Sequence, residues 1–228
     1  MQEPVVGPLL YTAEVDYPEQ HHPMFTQWFA NRHAPDLLRA GFRTAASYRA
    51  VSGGLKVLNV YELAGPDLFK SAQYKGMSAK DPYGDAVRAT SNGQQRAQTV
   101  YRQRMVAPRP SDESWPLIDA DWIWLLRFSV REMQDAALVG WLEVNAQTKL
   151  VMLGAKRIRF ASRTEDVVGA GTFRPGCAVL VEWSKQPSAH VDAGLLFNQD
   201  LAARVTEIEH YSGHRVYPWP DKKRGLSE

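Results

Sequence analysis

The stretch at residues 28–48, WFANRHAPDLLRAGFRTAASY, has a counterpart at residues 141–161, WLEVNAQTKLVMLGAKRIRFA, and the two align without a gap. Trp28 matches Trp141 and Gly41 matches Gly154, so both pairs are separated by 113 residues. Positions 37 and 38 are apolar, and so are positions 150 and 151. Similarity at a fixed spacing within one chain is typical of a repeated architecture. The sequence therefore predicts two halves that share one fold.

The order of the predicted elements is the same in both halves. Alternating apolar residues indicate strands, and apolar residues three or four positions apart indicate helices. The first half has strands at 8–16, 42–51, 55–63 and 97–106, helices at 24–40 and 66–75, and a short helix near 85–90. The second half has strands at 120–131, 155–162, 177–184 and 214–219, and helices at 133–153 and 192–210. This β-α-β-β-α-β order predicts a ferredoxin-like unit, with two helices on one face of a four-stranded antiparallel sheet.

A proline-rich segment separates the two predicted units. We expect the first ferredoxin-like repeat at residues 1–107, a linker at 108–118 and the second repeat at 119–228. Each unit leaves one apolar sheet face uncovered, and packing the two sheets face to face would bury both. The predicted fold class is therefore α+β, with two tandem ferredoxin-like repeats packed sheet to sheet as an intrachain α+β barrel.

The composition excludes several classes of function. The 228 residues carry a formal net charge of +2, which does not indicate a nucleic-acid-binding protein. Cys177, the single cysteine, excludes an intrachain disulfide, and its place in an apolar strand predicts burial. No apolar run approaches the roughly 20 residues of a membrane span, and the N-terminus lacks a basic signal-peptide region. We expect a cytoplasmic protein without a nucleic-acid or membrane partner.

The motif W-x4-H-x-P-D-L-L-x2-G-F at residues 28–42, followed by a strand ending in Tyr48-Arg49, resembles the EthD-like branch of the dimeric α+β barrel superfamily. There, a tryptophan-containing helix ending in H-x-P-x-L-x-x-x-G-F lies between the first two strands. The resemblance implies the barrel fold and a site that includes His33. It does not choose a reaction, because the relatives include cofactor-free monooxygenases, cyclases, dehydratases, decarboxylases, isomerases and some haem enzymes.

His33 is the main catalytic candidate. Pro35 suits the first position of a new helical segment, so His33 would lie at a joint between two segments. Imidazole, with an ordinary pKa of about 6.5, acts as an acid or base near neutral pH. The second half has Ala146 and Thr148 in place of His33 and Pro35, so the fold alone does not require these residues. We expect one active site per chain, in the first half.

Asp36 and Tyr48 are the predicted catalytic partners of His33. Asp36 is three residues further along the helix, where it could orient the imidazole or simply stabilise the helix N-terminus. Tyr48 could donate a hydrogen bond to a carbonyl or phenolate, or pack in the core. Strand alternation predicts that Phe42, Thr44 and Tyr48 share one face and form the floor of a pocket.

The remaining candidates line the predicted pocket. Trp28 and Tyr11 could form a wall for an aromatic ligand. His22 could lie at the pocket mouth as a second proton-transfer group. Adjacent His21 and His22 would point apart, and no acidic residue has zinc-like spacing beside them, so no metal site is predicted.

These expectations favour a lyase or isomerase that needs no metal or organic cofactor. It would decarboxylate, dehydrate or cyclise a small aromatic or polyketide-like substrate, with His33 transferring the proton. The alternatives are a cofactor-independent monooxygenase of phenols, a haem enzyme, and a non-catalytic small-ligand-binding protein. The sequence is compatible with either a monomer or a homodimer.

Overall fold

Eight antiparallel strands form a closed barrel within the residues that the computed structural model describes, namely 7–78, 96–109, 114–131, 135–164, 174–187 and 191–218. Their order around the barrel is β1-β3-β2-β8-β5-β7-β6-β4. The strands are β1 (Leu9–Val15), β2 (Thr44–Gly53), β3 (Val57–Leu63), β4 (Arg96–Ala107), β5 (Trp122–Val130), β6 (Arg157–Arg163), β7 (Cys177–Trp183) and β8 (Val205–Tyr217).

Each half of the chain contributes one four-stranded sheet to this barrel. The sheets β4-β1-β3-β2 and β8-β5-β7-β6 have the same internal order, and they join through the β2–β8 and β4–β6 pairs. The β1–β3 ladder of the first half and the β5–β7 ladder of the second have the same register. Ala13 pairs with Asn59, and Leu126, which lies 113 residues after Ala13, pairs with Val179. The predicted fold class, two ferredoxin-like units forming an α+β barrel within one chain, is confirmed.

The helix after the first strand of each half contains a π-helical turn. In the first half, α1 (His22–Trp28) continues through the π turn Phe29–His33 into α2 (Ala34–Arg39), and α3 (Ala72–Ser78) follows β3. In the second half, α4 (Asp135–Trp141), the π turn Leu142–Ala146 and α5 (Gln147–Met152) lie 113 residues further on, and α6 (Gln199–Ala202) precedes β8. No helix in the described ranges is long and apolar enough to cross a membrane.

Glycines end both of these interrupted helices in a left-handed conformation. Gly41 has a φ of +105° and Gly154 a φ of +80°, values that a residue without a Cβ adopts at little cost. The two glycines therefore fix where the chain leaves each of these helices to enter the next strand.

The barrel interior is filled by side chains of the described residues. Inward-facing apolar side chains such as Leu58 and Leu125 pack there with Ile118 and Ala120, which belong to the connection between β4 and β5. Buried ion pairs close both ends. At one end Arg159 contacts Glu62 and Glu182 at 3.1 and 2.6 Å, and at the other Glu14 contacts Arg127 and Arg174 at 2.6 and 3.1 Å.

Buried carboxylates hold the connection between the two halves against one end of the barrel. The Ile118 backbone N–H donates to the Glu62 carboxylate at 2.9 Å, and the Asp119 N–H donates to Glu182 at 3.2 Å. Arg159 donates to the Pro116 carbonyl at 2.7 Å. Space for a ligand therefore lies outside the barrel, between the sheets and the helices.

The predicted helix at 192–210 is wrong, and the last strand, predicted at 214–219, begins nine residues earlier. Strand β8 already begins at Val205, and only the four residues of α6 are α-helical before it. β8 pairs with β5 along one edge and with β2 along the other, and this long-range pairing outweighs the local sequence pattern. The segment predicted as a helix at 66–75 is divided at Ser71 into a 3₁₀ helix, Pro66–Lys70, and α3. The short helix predicted near 85–90 lies outside the described residues. Cys177 is buried, as predicted.

Candidate active site

A cavity of about 420 Å³ lies between the first interrupted helix and the outer face of the first sheet. This volume is within the range of sites for small organic ligands. Alternate residues of β1 and β3 point outward into this space, whereas their neighbours point into the barrel. The cavity is rich in aromatic rings, which are those of Tyr11, Tyr17, Phe25, Trp28, Tyr61 and Tyr74.

His33 is the imidazole among the side chains that line this cavity. It is the last residue of the first π turn, and π turns are frequent at functional sites. Its ring stacks on Trp28 with centroids 4.5 Å apart and planes 21° apart, and Phe29 lies 5.5 Å away. The Nε2 atom lies 3.4 Å from the Tyr61 hydroxyl. Aromatic packing and this polar contact together orient the ring.

Tyr61 supplies a neutral hydroxyl beside His33. It lies on the outer face of β3 and stacks on Tyr11, with ring centroids 5.3 Å apart. Burial raises the pKa of Tyr61 well above 10, and the nearby phenols of Tyr11 and Tyr74 raise it further. Tyr61 therefore keeps its proton over the physiological pH range. It can donate a hydrogen bond to His33 or to a substrate oxygen.

Asn59 adds an unpaired amide oxygen to the floor of the cavity. It lies two residues before Tyr61 on the same face of β3, and its side chain is 5% exposed. Its Oδ1 atom has no hydrogen-bond partner within the described structure. A buried polar atom without a partner costs about 1–3 kcal/mol, so a ligand that donates a hydrogen bond would relieve this cost.

The structure brings three of the predicted site residues together. His33, Trp28 and Tyr11 all line the aromatic cavity. The sequence reasoning missed Asn59 and Tyr61. The alternation of β3 could have identified both, because it places positions 57, 59, 61 and 63 on one face.

Asp36 and Tyr48 have other partners. The Asp36 carboxylate lies 3.3 Å from the Arg32 Nε atom and also contacts Arg39. Tyr48 lies inside the barrel, where its hydroxyl donates to the Ala120 carbonyl at 3.1 Å. The sheet itself therefore separates Tyr48 from His33.

The predicted common face for Phe42, Thr44 and Tyr48 is wrong. Phe42 packs on the helix side of the sheet, where its ring stacks on that of Tyr74 at 5.8 Å. Thr44 pairs with the inward-facing Glu62 and shares the interior side with Tyr48. The physical reason is that β2 begins at Thr44, so the alternation of the strand does not extend back to Phe42.

His22 lies outside the aromatic cavity and lines a second one. It is 8% exposed, and its Nε2 atom lies 3.0 Å from the Tyr17 carbonyl oxygen. Burial lowers the pKa of His22, and the cations Arg49 and Lys56 lower it further, while the Tyr17 carbonyl and Glu19 oppose these effects.

The corresponding positions of the second half are apolar. The shared spacing matches His33 with Ala146, and the equivalent ladders match Asn59 with Val179 and Tyr61 with Val181. The small Ala13 is matched by the larger Leu126. The polar groups of the cavity are thus confined to the first half.

The cavity residues do not suit a metal ion or haem. No group of three or more His, Cys, Asp or Glu side chains that could hold a metal occurs in the part of the chain that the structure describes. Haem iron requires an axial ligand, commonly histidine. Haem iron bound at the Nε2 atom of His33 would displace the Tyr61 hydroxyl, which is the polar contact that orients this ring.

Comparison with known proteins identifies the fold and not a family. No family model and no curated protein matches the chain. Among solved structures, a haem-binding protein from Thermus thermophilus is 10% identical with a TM-score of 0.55, and each chain covers 92% of the other. A candidate monooxygenase from Lactobacillus acidophilus is 10% identical with a TM-score of 0.52, over 92% of this chain and 94% of that one.

An anthrone oxidase-like protein is also 10% identical with a TM-score of 0.52, over 95% of this chain and 93% of that one. These solved structures are dimeric α+β barrel proteins with eight antiparallel strands. At this level of identity the likeness establishes architecture. The chain shares the architecture of these proteins, a closed eight-stranded α+β barrel, with both halves of the barrel in one polypeptide.

Proposed function

We propose that the chain is an enzyme that binds a small, planar aromatic or polyketide-like substrate in the aromatic cavity and removes a proton from it with His33. The observation that carries this proposal is the placement of the His33 Nε2 atom 3.4 Å from the Tyr61 hydroxyl, inside a cavity walled by aromatic rings. A base and a neutral donor at one point suit a substrate whose proton lies next to a carbonyl or on a phenol.

Four side chains would contribute to the proposed proton transfer. His33 takes the proton, and the negative charge moves to the substrate oxygen. Tyr61 donates a hydrogen bond to that oxygen, because its raised pKa keeps it protonated. Asn59 binds a second polar group of the substrate through its unpaired amide oxygen. Trp28 holds the His33 ring in place by stacking.

A lyase or isomerase follows if the deprotonated substrate then loses a leaving group or closes a ring. Dehydration expels hydroxide as water after His33 returns a proton. In cyclisation the deprotonated carbon attacks a carbonyl carbon of the same substrate, the carbonyl π bond breaks, and its oxygen takes the proton back from His33. Neither reaction needs an external oxidant. The aromatic walls favour such a substrate because its planar rings can stack on them.

A cofactor-independent monooxygenase is the second candidate, favoured by the names of the candidate monooxygenase and the anthrone oxidase-like protein that share the fold. Its first step is the same proton removal. The deprotonated substrate then reduces O₂, so that a ring methylene becomes a carbonyl and the second oxygen atom leaves as water. The absence of a suitable haem ligand at His33 does not oppose this reaction, since the substrate supplies the electrons.

Oxygen uptake separates the two candidates. Wild-type protein and the His33→Ala variant are incubated with anthrone and with 1-naphthol in an oxygen electrode, and the products are identified by mass spectrometry. Uptake matched to product and lost in His33→Ala indicates the monooxygenase. Exchange of the anthrone methylene protons with D₂O that is lost in His33→Ala, without oxygen uptake, indicates the proton transfer that a lyase or isomerase needs. Calorimetric binding of these probes by wild-type protein, with neither oxygen uptake nor His33-dependent proton exchange, would indicate a ligand-binding protein and contradict the enzyme proposal.

We further propose that the two halves arose by duplication and that the chain is close to the EthD-like branch. The 113-residue spacing and the π turns at equivalent positions support this origin. The proposed boundaries remain residues 1–107, 108–118 and 119–228. Every described strand is paired along both edges in the closed barrel, which favours a monomer over a homodimer. Light scattering of the purified protein tests this state.

A further inference from the structure

A second cavity, of about 670 Å³, lies on the other side of Phe25 from the aromatic cavity. Phe25 lines both spaces, and its side chain is buried between them. The second cavity is bounded by α1, by the middle of β2 and by the last residues of β8. It combines cationic and titratable side chains with apolar ones, whereas the aromatic cavity holds mainly rings.

Arg49 and His214 stand side by side at the base of this cavity. They are opposite each other in the β2–β8 ladder, so both side chains project from the same face. Arg49 pairs with Glu19 at 2.6 Å, but the Arg49 side chain is 38% exposed and the Glu19 side chain 80% exposed. An ion pair as exposed as this contributes little, so the guanidinium is available to a competing anion.

His22 forms the opposite wall with a buried and unpaired ring nitrogen. A carbonyl oxygen only accepts hydrogen bonds, so the Nε2 atom of His22 must carry the hydrogen that it donates to Tyr17. The other ring nitrogen, Nδ1, is buried and has no partner within the described structure. When this ring takes up a proton, Nδ1 becomes a donor with no protein acceptor.

We propose that this cavity binds a small organic acid. The carboxylate contacts Arg49 and His214, and a protonated His22 supplies a further donor. The apolar part of the acid lies against Phe25, Pro23 and Val57, which line the same space. The site is independent of proton transfer by His33, because the buried Phe25 side chain separates the two cavities.

The charges around the cavity make the binding depend on pH. Arg49 and Lys56 lie near His22 and oppose its protonation, whereas Glu19 favours it. Burial and Arg49 lower the pKa of His214 as well. A bound carboxylate adds negative charge and raises both pKa values, so binding takes up protons. The nearby Arg215 is already paired with Asp119 and Asp121, which lie in the segment just before β5.

Benzoate is a suitable probe because it combines a carboxylate with an apolar ring. Its dissociation constant is measured by calorimetry, and the histidine ring signals are followed by NMR between pH 5 and pH 8. We expect tighter binding at lower pH, by up to about tenfold for each unit by which the pKa of one imidazole rises. We also expect shifts in the His22 and His214 signals. Binding that is the same at both ends of this pH range would overturn the proposal.

Benzoate binding by substituted variants shows which cavity the probe occupies. Arg49→Gln is expected to weaken benzoate binding at least tenfold, and His214→Gln to weaken it and to reduce its pH dependence. Arg39→Gln removes an exposed arginine from α2 and serves as the matched control, with unchanged binding expected. Unchanged binding in Arg49→Gln would overturn the site. Inorganic phosphate is expected to bind more weakly than benzoate, and equal affinity would overturn the role of the apolar wall.

His33→Ala distinguishes this inference from the proposed function. Benzoate binding that survives in His33→Ala and is lost in Arg49→Gln supports a separate acid site. The reverse pattern places benzoate in the aromatic cavity and overturns the inference, without affecting the proton transfer assigned to His33.

Discussion

The hydroxyl of Tyr61 is the feature that separates the proposed active site from an ordinary aromatic core. Most rings of the first half pack against one another, as Phe25 and Phe29 do at 5.8 Å. Tyr61 also places its hydroxyl oxygen beside the Nε2 atom of His33. Burial and the neighbouring phenols raise the pKa of Tyr61, so this hydroxyl keeps its proton. One oxygen atom therefore carries much of the proposed chemistry.

Tyr61→Phe removes this oxygen and preserves the ring. We expect kcat/KM for the substrate to fall about 100-fold, which is typical for the loss of one donor to a developing oxyanion. The free energy of unfolding should change by less than about 1.5 kcal/mol, since ring packing is retained. Steady-state kinetics and urea unfolding measure the two effects. Tyr74→Phe removes a hydroxyl from the same cavity as a control, and an equal loss of activity in both variants would contradict the specific role of Tyr61.

His22 makes stability depend on pH. Its pKa is lowered in the folded protein, so below about pH 6.5 the unfolded chain binds a proton that the folded protein does not. The free energy of unfolding should therefore decrease as the pH falls from 7 towards 5, until the folded protein is protonated too. His22→Gln can still donate to the Tyr17 carbonyl and should reduce this dependence. Urea unfolding at several pH values tests it, and an identical slope in both proteins would contradict the prediction.

The sequence signal for single residues is strongest along one helix, although Asp36 on that helix pairs with Arg32 and Arg39. His33 and Trp28 lie on one helix, and the comparison with the second half separated the histidine from the packing residues. Asn59 and Tyr61 enter the site from β3, through its pairing with β1. The sequence indicates the strand and its two faces, but only the assembled sheet and helices show which face borders a cavity.

The π turn belongs to the fold and not to the proline that follows it. The second half has the same five-residue turn, although Thr148 stands where the first half has Pro35. The interrupted helix that pointed to function from sequence is therefore a shared structural element. The first half differs in the histidine at the last position of that turn.

Pro35→Thr introduces the residue that the second half has at this position. We expect the helical signal in circular dichroism and the His33-dependent activity to be retained. Stability should fall by no more than about 1 kcal/mol, because the unfolded chain gains freedom. Guanidinium unfolding and kinetics measure these quantities. A folded variant that has lost His33-dependent activity would show that the proline positions the histidine.

The start of strand β8 could not be identified from the local sequence pattern. Its first residues, Val205 to His210, are mostly exposed or half-buried and polar, which does not distinguish a strand from a helix. The strand exists because it hydrogen-bonds with β5 and β2 when the barrel closes. The strands of the first half carry their own alternation and were predicted to within a few residues.

The whole barrel depends on a cation buried where its two halves meet. Arg159 contacts Glu62 from the first half and Glu182 from the second, and all three side chains are fully buried. Arg159→Met would leave two buried carboxylates without this cation, and we expect a loss of about 3–5 kcal/mol in the free energy of unfolding.

Arg157→Met is the matched control for this prediction. Arg157 is 3.9 Å from Glu182 and its side chain is 16% exposed, so its removal should cost less than about 1 kcal/mol. Denaturant unfolding compares the two variants. Equal costs would show that Arg159 does not have a special part in joining the halves.

The union of both halves in one chain has a consequence for how such a site can change. A barrel built from two identical subunits carries every substitution twice, so any histidine gained in one cavity appears in the other. Here β2–β8 and β4–β6 join two halves that differ in sequence. One cavity can keep His33, Asn59 and Tyr61 while its counterpart carries only apolar side chains at those positions. The second half is thereby free to evolve as a scaffold, without loss of the chemistry proposed for the first.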